Sequence, residues 1–158
     1  MPEAVGKRSD FEKILAEMID KSGALSGLLI TKDGIAVAQA GDTSYFNTDA
    51  LSALVAGMFS ATREVARMVG EDQFSMLLQQ GENRHIHISL IQDTRMMVII
   101  FEGYERIGFV RHEARRAGTQ LAKLVEKAET RPATREVVAT TEFKEYALNA
   151  IDRIFQTR

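Results

Sequence analysis

From Ala53 to Thr62 the chain reads ALVAGMFSAT. Large apolar residues recur here at helical offsets, and Ala, Gly and Ser fill the positions between them. Leu51, Leu54, Val55, Met58, Thr62, Val65 and Met68 share an i, i+3, i+4, i+7 spacing, which predicts an amphipathic helix with these residues on its core face. Opposite them lie Ala53, Ala56, Gly57, Ser60, Ala61 and Glu64. Glycine inside a helix costs roughly 1 kcal/mol against alanine. A stripe kept this small therefore predicts another backbone at close range, either the protein's own sheet or a second molecule. Asn47 or Thr48 can cap the helix start and Gly70 its end.

Working outward, Ser9-Asp10-Phe11-Glu12 has the form of a capping box. Phe11, Ile14, Leu15, Met18 and Ile19 then share one face of a first helix that stops at Gly23. ALSGLLITKDGIAVAQAG (residues 24–41) predicts two strands about a Lys32-Asp33-Gly34 turn, and its Ala and Gly content predicts a close neighbour. After the central helix, QFSMLLQQ, HIHISLI and MMVIIFE predict three more strands with short antiparallel turns. A further helix follows from about Ile107 to Glu126. Val110, Ala114, Ala117, Leu121, Leu124 and Val125 face inward, and Arg111, Arg115, Arg116 and Lys123 lie on the other side.

Pro132 breaks that helix. Residues 130–141 read as a linker and residues 142–158 as an amphipathic terminal helix striped by Phe143, Tyr146, Ile151, Ile154 and Phe155. The order is α-β-β-α-β-β-β-α plus the tethered helix, an α+β fold with one five-stranded antiparallel sheet covered by helices. Residues 1–129 form the domain, with its core over residues 23–126.

Composition narrows the function. In 158 residues there are 45% hydrophobic and 27% charged side chains, the balance of a globular protein with a buried core. The net charge of −2 offers no basic field for nucleic acid. No cysteine is present, which excludes disulfides and thiolate metal sites. The start of the chain lacks a signal-peptide core, and MMVIIF is too short to span a bilayer, so a cytoplasmic protein without stable membrane insertion is expected.

The strand from Gln73 to Gln80 has no Lys, Pro or bulge signal to discourage pairing at a sheet edge. Phe74, Met76 and Leu78 would share one face, and Ser75, Leu77 and Gln79 the other. Pairing edge to edge through a two-fold axis, with Ala61 and its helix beside the mate's helix, would give a homodimer with one continuous sheet.

Three segments resemble the roadblock/dynein-light-chain family: GLLITKDGIAVAQAG, LSALVAGMFSATREVARMVGEDQF and MMVIIFEGYERIGFVRHEARRAGTQLAKLVE. Within it the likeness is to the bacterial MglB-like proteins, and it extends to the tail ending AIDRIF. The resemblance implies a homodimeric activator of a small Ras-like GTPase, in its GTP-bound form, in bacterial cell polarity or motility. It implies GTPase contact at Ala53, Ala56, Gly57, Ser60 and Glu64, and along the tail stripe; Glu64 is larger than the position suggests. It also implies that the GTPase's own catalytic residues are repositioned. Alternatives are a roadblock scaffold that holds a GTPase without activating it, and a ligand sensor with a pocket along the first hairpin.

No catalytic set, metal site or cofactor is expected. Neither a phosphate-binding loop nor GxGxxG occurs. Arg63 and Arg67 could be imagined as an arginine finger, but the family resemblance argues against it, and helical arginines are usually solvated. His85 and His87 alternate along a strand at metal-binding spacing; with no third ligand evident, half-exposed neutral histidines are the simpler expectation. The basic side of the last domain helix is diluted by Glu113, Glu126 and Glu129, which favours a solvated face.

Overall fold

The computed structural model describes residues 2–129, with side chains from residue 10 to residue 128. The predicted linker and terminal helix lie outside the described residues. The chain divides into two units, residues 1–125 and 126–158, and the sheet belongs to the first.

The elements are α1 (Pro2–Ser22), β1 (Ser26–Thr31), β2 (Ala36–Gly41), α2 (Thr48–Met68), β3 (Met76–Gln80), β4 (Arg84–Ile91), β5 (Arg95–Glu102) and α3 (Ile107–Glu129). This is the expected order. A 3₁₀ turn, Tyr104–Arg106, leads into α3 and had no clear sequence signal. The five strands form one antiparallel sheet in the order β2-β1-β5-β4-β3.

β5 explains the layering. Its alternate residues face opposite ways, and both faces are covered, so MMVIIF reads as a continuous apolar run. Met96, Val98 and Ile100 join Leu28, Ile30 and Ile88 beneath Val55 and Phe59 of α2. Met97, Ile99 and Phe101 join Leu15 and Met18 of α1 and Val110, Ala117 and Leu121 of α3 on the other face. Burying each of the larger of these side chains contributes about 1.5–3 kcal/mol.

The small residues of the first hairpin admit α1. A Cβ on Gly27 would stand 2.9 Å from the Met18 side chain, and Ala38 is buried in the same layer. At the hairpin tip Gly34 has a φ of +86°, and a Cβ there would meet the Ala53 backbone at 2.9 Å. The turn thus packs directly on α2.

Three expectations need correction. α1 begins at Pro2, so Ser9 lies inside the helix and the capping-box pattern does not mark its start. Proline at the first helical position lacks only an N–H that has no intrahelical partner there. β3 begins at Met76 instead of Gln73. Phe74 leaves the strand alternation to stack on Phe59, with ring centroids 4.9 Å apart, so it sides with Leu77 under α2 and not with Leu78. The third concerns the faces of α2.

Candidate functional site

α2 starts where Asn47 accepts a hydrogen bond from the Ala50 amide on its side-chain oxygen, 3.0 Å away. Its N-terminal end lies over β2, where the Thr48 hydroxyl donates to Gln39 at 3.2 Å. Phe59 stacks on Phe74 just before β3. The helix therefore crosses the sheet from the β2 edge toward the β3 edge.

Its buried residues are Ser52, Val55 and Phe59, with Leu51, Thr62 and Ala66 half-buried at the same helical phase. Leu54, Val65 and Met68, expected on the core face, are instead exposed by 72%, 60% and 86%. The reason is phase: Phe59, the largest side chain of the segment, turns to the sheet and rotates Leu54, Val65 and Met68 outward. α2 thus carries an apolar flank in addition to its core face.

The stripe of small residues also points away from the sheet. Ala53, Gly57, Ser60 and Glu64 are exposed and Ala56 is half-buried. Ala53 packs on the Gly34 turn and Ala56 on the core beneath α2. A Cβ added at Gly57 would meet nothing within 4 Å. Glu64 is drawn along the helix to Arg67, with Nη1 and Oε1 at 2.7 Å.

β3 is the terminal strand, with β4 on one side only. Ser75 and Met76 are exposed, Phe74, Leu77 and Leu78 half-buried, and Ala61 exposed on α2. Past the Phe59–Phe74 stack, Val65 and Met68 in the last turns of α2 and Val69 just after it are exposed. The residues expected at a self-interface therefore share one end of the sheet.

Sequence reading missed a cleft beside the stripe. Lys32 of the β1–β2 turn, Ala56, Phe59, Ser60 and Arg63 of α2, Leu90, Arg95 and Met96 enclose about 70 Å³. These positions are distant in sequence, so no local pattern announces them.

Neither histidine of β4 is a half-exposed surface residue. His85 and His87 are both 3% exposed, and neither Nδ1 has a hydrogen-bond partner. They face away from α2, His85 beside the Phe101 and Tyr104 rings. Burial, and secondarily the Arg111 charge, holds the His87 imidazole below its usual pKa. Among the described residues no three or more His, Cys, Asp or Glu side chains group to hold a metal ion. Glu113, expected on a solvated face, is buried and accepts from Arg116 at 2.8 Å. Among the described residues no helix is long and apolar enough to cross a membrane.

The Roadblock/LC7 domain matches residues 10–101. The structure is similar to MglB of Myxococcus xanthus, with a TM-score of 0.72 and 24% identity over 75% of this chain and 90% of that one. It is similar to the gliding protein MglB of Thermus thermophilus, at a TM-score of 0.69 and 27% identity over 77% and 92% of the two chains. An MglB with a tetrameric arrangement gives 0.71 and 26%, also over 77% and 92%. No curated protein matches.

Proposed function

The chain belongs to the Roadblock/LC7 family, and from that premise we propose that it is a homodimeric regulator of a small Ras-like GTPase. It binds the GTP-bound form, promotes hydrolysis by repositioning the GTPase's own catalytic residues, and serves bacterial cell polarity or motility. It supplies no catalytic group of its own.

The observation that carries this reading is the outer surface of α2. Gly57 is open where the fold makes no use of a glycine. Ser60 and Glu64 are exposed beside it. Roughly 1 kcal/mol of helix stability is forgone at Gly57, and close approach by a partner's switch loop accounts for that. The likeness in fold to MglB proteins supports the same assignment. The β3 edge and the apolar flank of α2 form the self-interface, through which the sheet continues into a second copy. Beyond the described residues, a linker (130–141) carries an amphipathic helix (142–158) whose Phe143, Tyr146, Ile151, Ile154 and Phe155 contact the GTPase.

The test is GTP turnover by the organism's own small Ras-like GTPase with this protein at two-to-one. Acceleration is expected, and Gly57→Arg abolishes it while the dimer persists. Truncation after Pro132 leaves the dimer but changes GTPase affinity or nucleotide exchange; if neither changes, the tail assignment falls. Binding without acceleration makes the protein a scaffold. No binding refutes the GTPase assignment.

A further inference from the structure

The cleft of about 70 Å³ beside α2 has a floor of Phe59, Leu90 and Met96 and a rim of three cations. Lys32 comes from the β1–β2 turn, Arg63 from α2 and Arg95 from the start of β5. Among the described residues none of the three has an ion-pair partner. Arg95 donates to the Thr94 carbonyl at 3.2 Å, and the Arg63 guanidinium stands 5.9 Å from the centre of the Phe59 ring. The carboxylate next to Arg63 in sequence, Glu64, is engaged by Arg67.

This clustering is not a by-product of a basic protein, because the net charge is −2. Like charges gathered over an apolar floor repel one another, and an anion placed among them relieves that repulsion. Size then decides what kind of anion. Pockets for free small molecules span about 300–1,000 Å³, several times the volume of this cleft. The cleft is a fraction of that size, so it accepts a small group and not a whole free ligand. One carboxylate-tipped side chain meets that limit, delivered by a surface already docked alongside. Ala56 and Ser60 belong both to the cleft and to the small-residue stripe, so a loop lying on the stripe reaches it.

We propose that this cleft receives an Asp or Glu side chain, with an apolar neighbour over Phe59 and Met96, from the GTPase loop that docks on α2. The assignment rests on the GTPase reading above. It adds a directional contact to a surface otherwise made of small residues, and so fixes the register of the docked loop.

The experiment measures affinity of the full chain for the GTP-loaded GTPase at low salt and at roughly 0.3 M salt, where surface charges are screened beyond several ångströms. Lys32→Glu and Arg95→Glu each weaken binding about tenfold at low salt and flatten its salt dependence, with thermal midpoints unchanged. Lys32→Gln, a neutral change on an exposed turn, weakens it about threefold and decides the matter where a reversed charge disturbs folding. Replacing acidic residues of the GTPase switch loops by lysine one at a time identifies the partner: the correct one restores binding to Lys32→Glu. If all three variants bind as the parent does while Gly57→Arg does not bind, the cleft assignment is overturned and the GTPase reading stands. If the parent chain itself fails to bind, the GTPase reading falls and the cleft assignment falls with it.

Discussion

Replacing Gly57 by alanine separates what α2 needs for its own fold from what it offers to another molecule. The added methyl meets nothing within 4 Å, and the residue sits in the interior of a 21-residue helix. Alanine is favoured over glycine at such a position by roughly 1 kcal/mol. Unfolding entropy of about 2.1 cal/mol/K per residue, taken over residues 2–129, amounts to roughly 0.27 kcal/mol/K. The thermal midpoint therefore rises by roughly 4 °C. If a partner backbone approaches Gly57, the same methyl overpacks that contact, which costs about 1–3 kcal/mol and weakens GTPase binding about 5- to 150-fold. Calorimetry at several protein concentrations, needed because the proposed self-association would make the midpoint concentration-dependent, is paired with a binding titration. A lowered midpoint refutes the statement that this position is open in the folded protein. A raised midpoint with unchanged affinity refutes the close approach.

Two further outcomes follow from burial and from the sheet edge. His87 has a folded pKa below its ordinary value of 6.5, so the unfolded chain binds more protons in the window beneath 6.5. Stability is therefore full above that value and declines as pH falls through the window. Urea midpoints between about pH 7.5 and pH 5, above the range where carboxylates titrate, fall less steeply in His87→Gln, and an identical slope refutes the assignment. Met76→Lys on the β3 edge places a charge where a second strand would pair; sedimentation is expected to show loss of the dimer at micromolar concentration with helix content retained. A dimer that survives this change places the self-interface elsewhere.

Local chemistry made much of the fold legible. Asn47, the Lys32-Asp33-Gly34 turn and the stop at Gly23 each act within a few residues, and each stands where its chemistry predicted. The same local grammar misled at Ser9, because a capping-box pattern is also acceptable inside a helix once Pro2 starts it earlier. Tertiary placement was less legible. His85 and His87 read as half-exposed because alternation does not reveal what covers β4, and they lie buried on the sheet face away from α2. The cationic cleft assembles positions 32, 63 and 95, a relation that no spacing rule contains.

The misassigned faces of α2 have the same origin and carry the most information. At about 100° per residue the helix presents three faces, each near a third of its circumference. Val55 and Phe59 with their neighbours face the sheet. Leu54, Val65 and Met68 form the apolar flank, and Ala53, Gly57, Ser60 and Glu64 form the small stripe. Two of the three are hydrophobic and adjacent on the helix, so a periodicity that assumes one core face merges them. The expected core face joined Leu54, Val65 and Met68 of the flank to Leu51, Val55 and Thr62 of the sheet side and left out Phe59, whose ring fixes the phase. Exposed apolar residues scattered singly are ordinary on a protein surface, but three on one side of one helix, beside an unpaired strand edge, are better explained by burial against a second copy. The stripe, turned roughly 100° from that flank, remains open after such pairing and is the face left for a different partner. If the proposed dimer and GTPase contact use these separate faces, Met76→Lys and Gly57→Ala act on separate equilibria.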